Sequence, residues 1–209
     1  MLLDRSNVRY PSMQLTVTDY NSSVLQLSTI PNLLIGWATD PHIRTPSSGD
    51  LEVTSELQQR FIETLHRKNI NVSAISGGWS PALVYMIMTQ YPSTPRIECD
   101  TIILASETIY SPSTIRPFTS TLLSLLHLAE ARGARAKALI AAKRVYFGVG
   151  GGVDEFLAVL TEMGGEGEVE WESEGEGVGR VILEVKLTNK YDELLRRREL
   201  APKVPWLGL

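Results

Sequence analysis

Residues 143–153 read KRVYFGVGGGV, with the apolar run ALIAA before them and DEFLAVLTEMGG after them. An apolar run, four glycines within five positions and then apolar residues at helical spacing form the pattern of a strand, a tight loop and a helix. Such a loop can cradle a phosphate, but the criteria for that are not met. A dinucleotide fingerprint requires a third glycine where this chain has Val153, and no acidic residue ends a following parallel strand. The Gly-Lys-Ser/Thr ending of a nucleotide-triphosphate loop is not present either. What remains is the backbone freedom of glycine, which permits positive φ angles and close approach. That freedom serves either the wall of a pocket around a flat or bulky group, or a tight turn with no ligand.

Upstream, CDTIILAS (99–106) is an almost wholly apolar strand, the pattern of a parallel strand covered on both faces. ETIYSPST leads from it into a helix from about Ser113 to Ala131, closed by Gly133. The alternation in MQLTVTDY predicts a strand over 13–18 ending at Asp19, followed by a helix capped at Asn21 or Ser22 that stops before Pro31. A second helix is predicted over 54–68, then the strand INVSAIS, the turn GGWSP and the helix PALVYMIMTQ. Downstream, EVEWESEG and GRVILEVKL read as an antiparallel hairpin joined by the turn EGEGVG, and the Gly/Glu-rich stretch 164–179 reads as a flexible acidic connection. The order predicts an α/β protein with a mixed, mostly parallel sheet and a C-terminal antiparallel hairpin. Residues 1–187 form the expected domain and 188–209 a tail of one or two amphipathic helical turns.

At 209 residues the chain is long enough for one substantial core. A net charge of −4 gives no bulk attraction to nucleic acid, and no apolar stretch approaches the length of a membrane span. A single cysteine, Cys99, excludes an internal disulfide and fits a reducing compartment, so the expected location is cytoplasmic or nuclear. The three histidines, His42, His66 and His127, have no metal-ligand spacing.

Four stretches together resemble the seven-β-strand methyltransferases, and specifically the histidine protein methyltransferases: TVTDYNSSVLQLSTIPNLL (16–34), ISGGWSP (75–81), LASETIY (104–110) and AAKRVYFGVGGGV (141–153). The resemblance implies a Rossmann-like methyltransferase fold, S-adenosylmethionine as cofactor and a protein substrate, methylated on a histidine ring, from the large ribosomal subunit. It implies that Asp19, Tyr20 and Asn21 lie against the ribose and nucleoside, with Gly77, Trp79 and Ser106 also on the cofactor. Glu107-x-x-Tyr110 matches the acidic-x-x-aromatic motif of the related protein-lysine methyltransferases. It places Glu107 as an acceptor on the far ring nitrogen of the substrate and Tyr110 as a wall or orienting donor. Lys143, Tyr146, Phe147, Gly148, Gly150, Gly151 and Gly152 then form the substrate-side wall.

The family pattern begins with a strand and a glycine-rich cofactor loop, and MLLDRSNVRYPSMQ contains no glycine. In this fold that first strand lies between the strand ending at Asp19 and the strand ending at Ser106. The sequence therefore reads as an N-terminally shortened member of the family. Two alternatives stay open: a catalytically inactive relative that binds protein, and a lysine-directed enzyme of the same superfamily.

Overall fold

The computed structural model describes residues 12–40, 50–91, 100–133, 135–173 and 179–197. His42, Cys99, the turn 174–178 and the tail after Arg197 lie outside the described residues. The chain divides into two compact units, Met1–Gly78 and Trp79–Leu209.

In the first unit β1 (Met13–Asp19) runs parallel to β2 (Ile70–Ser76), with Met13 opposite Ile70 and Asp19 opposite Ser76. Parallel strands require a long crossover, and helices supply it. Asn21 caps α1 (Ser22–Val24), its side-chain oxygen accepting from the Ser23 N–H at 3.0 Å. The helix does not stop before Pro31. It widens into a π turn over Leu25–Thr29 and continues as α2 (Ile30–Ala38). Proline lacks an N–H and its ring collides with the carbonyl four residues back, here that of Leu27. The wide turn, in which the Ile30 N–H reaches the Leu25 carbonyl, accommodates both defects. The third helix, α3 (Ser55–Arg67), is capped as its sequence predicts, with Thr54 Oγ1 accepting from the Leu57 N–H. Trp37 of α2 and Phe61 of α3 pack with ring centres 5.3 Å apart.

The second unit opens with α4 (Pro81–Met88), capped by Ser80 and with Pro81 in its first turn, where a missing N–H costs nothing. Its sheet has the order β3 (Thr101–Ser106), β4 (Ala136–Lys143), β6 (Arg180–Leu187), β5 (Gly165–Glu172). The first pair is parallel and the other two are antiparallel. The buried residues Ala138, Ile140 and Ala142 stand opposite Val185, Leu183 and Val181. Phe118, Leu122, Leu123 and Leu126 of α5 (Pro112–Glu130) and Phe156 and Leu160 of α6 (Val153–Glu162) complete the same core. Full burial of each such side chain contributes about 1.5–3 kcal/mol. The last helix, α7 (Asn189–Arg196), adds Tyr191 to the cluster.

The α/β class, the parallel ladders and the terminal hairpin are as the sequence predicts, but the strands form two sheets. Among the described residues β1 pairs only with β2, and β3 only with β4. The resemblance sets β1 and β3 on either side of the family's first strand. Nor is β3 covered on both faces: Ile102 and Leu104 are 60% and 74% exposed. The Gly/Glu-rich stretch is ordered as β5 over Gly165–Glu172, because Gly165 and Gly167 let the strand seat against Leu160 and Leu157 of α6.

The glycine loop is closed by a bridge between Val145 and Gly152 and by the Tyr146 N–H on the Gly151 carbonyl. Gly148 and Gly150 turn it at φ of +79° and +89°. Gly151 has a different task. A Cβ there would lie 2.4 Å from the backbone carbonyl group of Tyr110 and 2.7 Å from the oxygen of Ile109. The loop therefore packs backbone to backbone on residues 109–110. Two substitutions separate these roles. Gly148→Ala meets no neighbour and carries only the left-handed penalty, about 1 kcal/mol. Gly151→Ala forces two backbones apart and is expected to cost more, about 3 kcal/mol. Equilibrium urea unfolding of both variants measures the difference; equal losses would show that the 109–110 contact is not tight.

Candidate functional site

The residues singled out from the sequence form one group in each unit. In the first unit they gather at the carboxyl ends of β1 and β2, the edge where parallel sheets bind ligands. Asp19 ends β1, its Oδ1 accepts from the Asn21 N–H at 2.7 Å, and its carbonyl accepts from the Gly77 N–H at 3.0 Å. The Tyr20 ring is 82% exposed, and Gly78 lies beneath it, a Cβ there standing 3.6 Å from the ring. Asn21 is engaged as the helix cap.

The second group is built on the carboxyl ends of β3 and β4. The exposed Ser106 closes β3, opposite Ala141. Glu107 follows with φ of +55°, one of two non-glycine residues with positive φ among those described. Left-handed backbone costs a residue with a Cβ about 1 kcal/mol, so the surroundings must impose it. They do: the Glu107 N–H donates to the Ala141 carbonyl at 3.0 Å, and two residues later Ile109 is fully buried in the core. The Glu107 side chain is left at the surface and Tyr110 is 45% exposed beside it. Between them the Thr108 hydroxyl is buried and makes no hydrogen bond. Left-handed backbone and an unpaired polar atom thus meet in one short loop.

On the β4 side, Tyr146 is buried and packs edge-on to Tyr110, ring centres 6.1 Å apart. Its Oη accepts from the Lys143 N–H at 3.1 Å, and the Lys143 ammonium lies 5.6 Å from the ring centre. Burial raises the Tyr146 phenol above its ordinary pKa; the Lys143 N–H opposes the rise, the nearby Glu107 carboxylate adds to it, and Arg180 opposes it. The phenol is therefore protonated across the physiological range. Phe147 at the loop's tip is 80% exposed. Trp79, in the same unit, packs edge-on to Phe118 at 5.2 Å and is partly buried against the core.

Two features of this group are not evident from the sequence. Arg144 grips Glu172 with both fork nitrogens, at 2.8 and 2.7 Å, tying the start of the glycine loop to β5 across 28 residues. Nothing in the sequence marks that pair, or the buried Thr108 hydroxyl. Neither described histidine belongs to the group. His66 is exposed on α3, and His127 faces Tyr191 and Asp192 of α7. No group of His, Cys, Asp and Glu among the described residues is arranged to hold a metal ion, and no described helix is long and apolar enough to cross a membrane.

No protein-family profile matches the chain. Individual relatives do. Histidine protein methyltransferase 1 of Saccharomyces cerevisiae is 32% identical over 170 residues, 75% of this chain and 43% of that protein. The protein of the same name from Schizosaccharomyces pombe is 34% identical over 151 residues, 71% of this chain and 41% of that protein. A rat homologue is 29% identical over 167 residues, 80% of this chain and 41% of its own length. The chain thus spans less than half the length of the relatives it matches. One name recurs from two distant yeasts to a mammal, each time over more than two thirds of this chain, and the chain belongs to the histidine protein methyltransferase family.

Proposed function

We propose that this chain carries the substrate-side machinery of a protein-histidine N-methyltransferase that uses S-adenosylmethionine and acts on a protein of the large ribosomal subunit. The observation that supports this most is Glu107, a carboxylate held at the end of a parallel strand in a backbone conformation its residue type disfavours. Tyr110 and Tyr146 flank it. The relatives named for histidine methylation supply the reaction class.

Residues of the first unit fit the adenosyl end of the cofactor. Asp19 offers a carboxylate, which accepts from ribose hydroxyls, and Tyr20 offers an exposed ring for a base. When bound, S-adenosylmethionine supplies a methyl group on a positively charged sulfur. The protein's own part is mostly positioning. A neutral imidazole must present one nitrogen along the line of attack, and a partner on the other nitrogen selects that tautomer. Glu107 is such a partner. As the ring is methylated it becomes cationic, and the carboxylate facing its N–H stabilises that charge where it develops. Tyr110 walls the ring, and the exposed Phe147 offers the substrate protein an apolar contact.

Calorimetric titration of the 209-residue chain with S-adenosylmethionine and its demethylated product tests the cofactor half. Micromolar binding, about −8 kcal/mol, is expected, with Asp19→Ala weakening it roughly tenfold. A folded chain that takes up neither compound would sink the reading. Glu107→Gly tests the chemistry. It relieves the left-handed backbone, so the midpoint of thermal unfolding is expected to stay the same or rise. Methyl transfer to large-subunit ribosomal protein is expected to fall on the order of a hundredfold. An unchanged rate would remove Glu107 from the mechanism.

A further inference from the structure

We propose that Arg144 is a positioning residue for the protein substrate: its clamp on Glu172 fixes the direction of the glycine loop, and with it the placement of Phe147 at the loop's tip. This rests on the reading of that loop as the substrate-side wall, and adds to it a residue that does not itself touch substrate. The loop hangs from Arg144 at three points. The Arg144 N–H donates to the Gly179 carbonyl, just before β6, at 2.7 Å, and its own carbonyl accepts from the Val153 N–H, where the loop enters α6, at 3.2 Å. The side chain then passes over Gly179, where a Cβ would stand 3.8 Å from the Arg144 Cβ and 3.9 Å from Glu172 Oε1. Beyond it, Nε and one terminal nitrogen meet the two oxygens of Glu172 at 2.8 and 2.7 Å. A lone ion pair at a surface contributes little to stability, but a two-pronged fork on a carboxylate fixes orientation.

Toward the tip the restraints weaken. The Tyr146 N–H reaches the Gly151 carbonyl at 3.3 Å, and the Val149 and Gly150 N–H groups reach the Tyr146 carbonyl at 3.3 and 3.4 Å, all longer than the usual 2.9–3.0 Å. Gly148 and Gly150 add backbone freedom at that end. The loop is therefore held firmly at its base and loosely at its tip, and the base decides where the tip points. The tip carries Phe147 and Val149, both exposed, the ring with most of its surface in solvent. An apolar anchor that is already ordered binds more tightly than one that a partner must order on contact. Arg144 is poorly placed to be such an anchor itself, because its fork is already engaged by Glu172. Its effect on the substrate runs through the loop.

The test uses the full chain and removes the clamp from either side, with Arg144→Gln and Glu172→Gln. Each is expected to raise KM for large-subunit ribosomal protein about three- to tenfold, the ordering cost of one side chain, with kcat and the KM for S-adenosylmethionine unchanged. The double variant is expected to be no worse than either single one, because the second change removes a contact already lost. Arg144→Lys keeps the charge without the fork and is expected to fall between. In a chain already carrying Phe147→Ala, Arg144→Gln is expected to add nothing. An unchanged KM would overturn the proposal. A rise in Arg144→Gln that Glu172→Gln does not share would also do so, since Arg144 would then be touching substrate directly. A fall in kcat equal to the rise in KM would make the pair a structural brace and nothing more. Calorimetric binding of the same ribosomal protein repeats the comparison without methyl transfer. If Kd weakens in the variants but the unsubstituted chain transfers no methyl group, the clamp stands and the methyltransferase reading fails. If the unsubstituted chain does not bind the ribosomal protein, that reading and the clamp fall together.

Discussion

The second unit depends on one close approach, the backbone of Gly151 against the backbone of Ile109 and Tyr110. Without a Cβ, the loop after β4 lies directly on the loop after β3, and the two strand ends become one surface. Everything of chemical interest in that unit is fixed by the contact. It seals Ile109 in the core and places Tyr110 beside Tyr146. The strand ladder sets the register to one residue, Ser106 opposite Ala141, and the Glu107 N–H continues it by one more hydrogen bond. After that the chain must turn at once, and it turns at a glutamate in the left-handed region. Glycine or asparagine would turn there at less cost, so the carboxylate is kept against local preference. In a natural sequence such a conflict marks a position held for something other than folding.

Much of this was legible beforehand, for identifiable reasons. Caps are local, so the helix starts at Asn21 and Thr54 could be read from one to three residues of sequence. The alternation of strands and helices gave the parallel ladders, and the Gly-rich turn between two apolar runs gave the hairpin. The resemblance drew attention to Glu107 and Tyr110. What it could not give was the left-handed backbone of Glu107, since nothing in SETIY departs from the pattern of a strand running into a loop.

The failures share a cause: each concerned a partner distant in sequence. Pro31 reads as a helix stop because local rules forbid it, but a turn widened by one residue admits it, and tertiary packing of Leu25, Leu34 and Ala38 outweighs the local penalty. CDTIILAS reads as doubly covered because apolar side chains alternate on both faces. Whether something covers Ile102 and Leu104 depends on neighbours that the strand itself does not encode. The glycines of 148–152 read as a pocket wall or a tight turn, and neither reading names the backbone of Ile109 and Tyr110 as what Gly151 approaches. A pattern of glycines reports that something comes close, without saying what.

The same logic bears on the methyl transfer proposed for this group. An in-line attack on a sulfonium needs no covalent help and no proton relay in its first step, only a nucleophile held along one line. Precision is then the quantity the protein must supply, and precision comes from rigid elements rather than from many groups. Glu107 is held at its backbone by β4 through Ala141, and Tyr146 is anchored to Lys143, the last residue of β4. Both residues are thus tied to one buried strand, between β3 and β6 in the sheet. Arg144, next along the chain, is clamped to Glu172, so the base of the glycine loop moves with that sheet and not with solvent. A glutamate whose backbone is tied to a buried strand suits the proposed role of tautomer-selecting acceptor better than one on a free loop would.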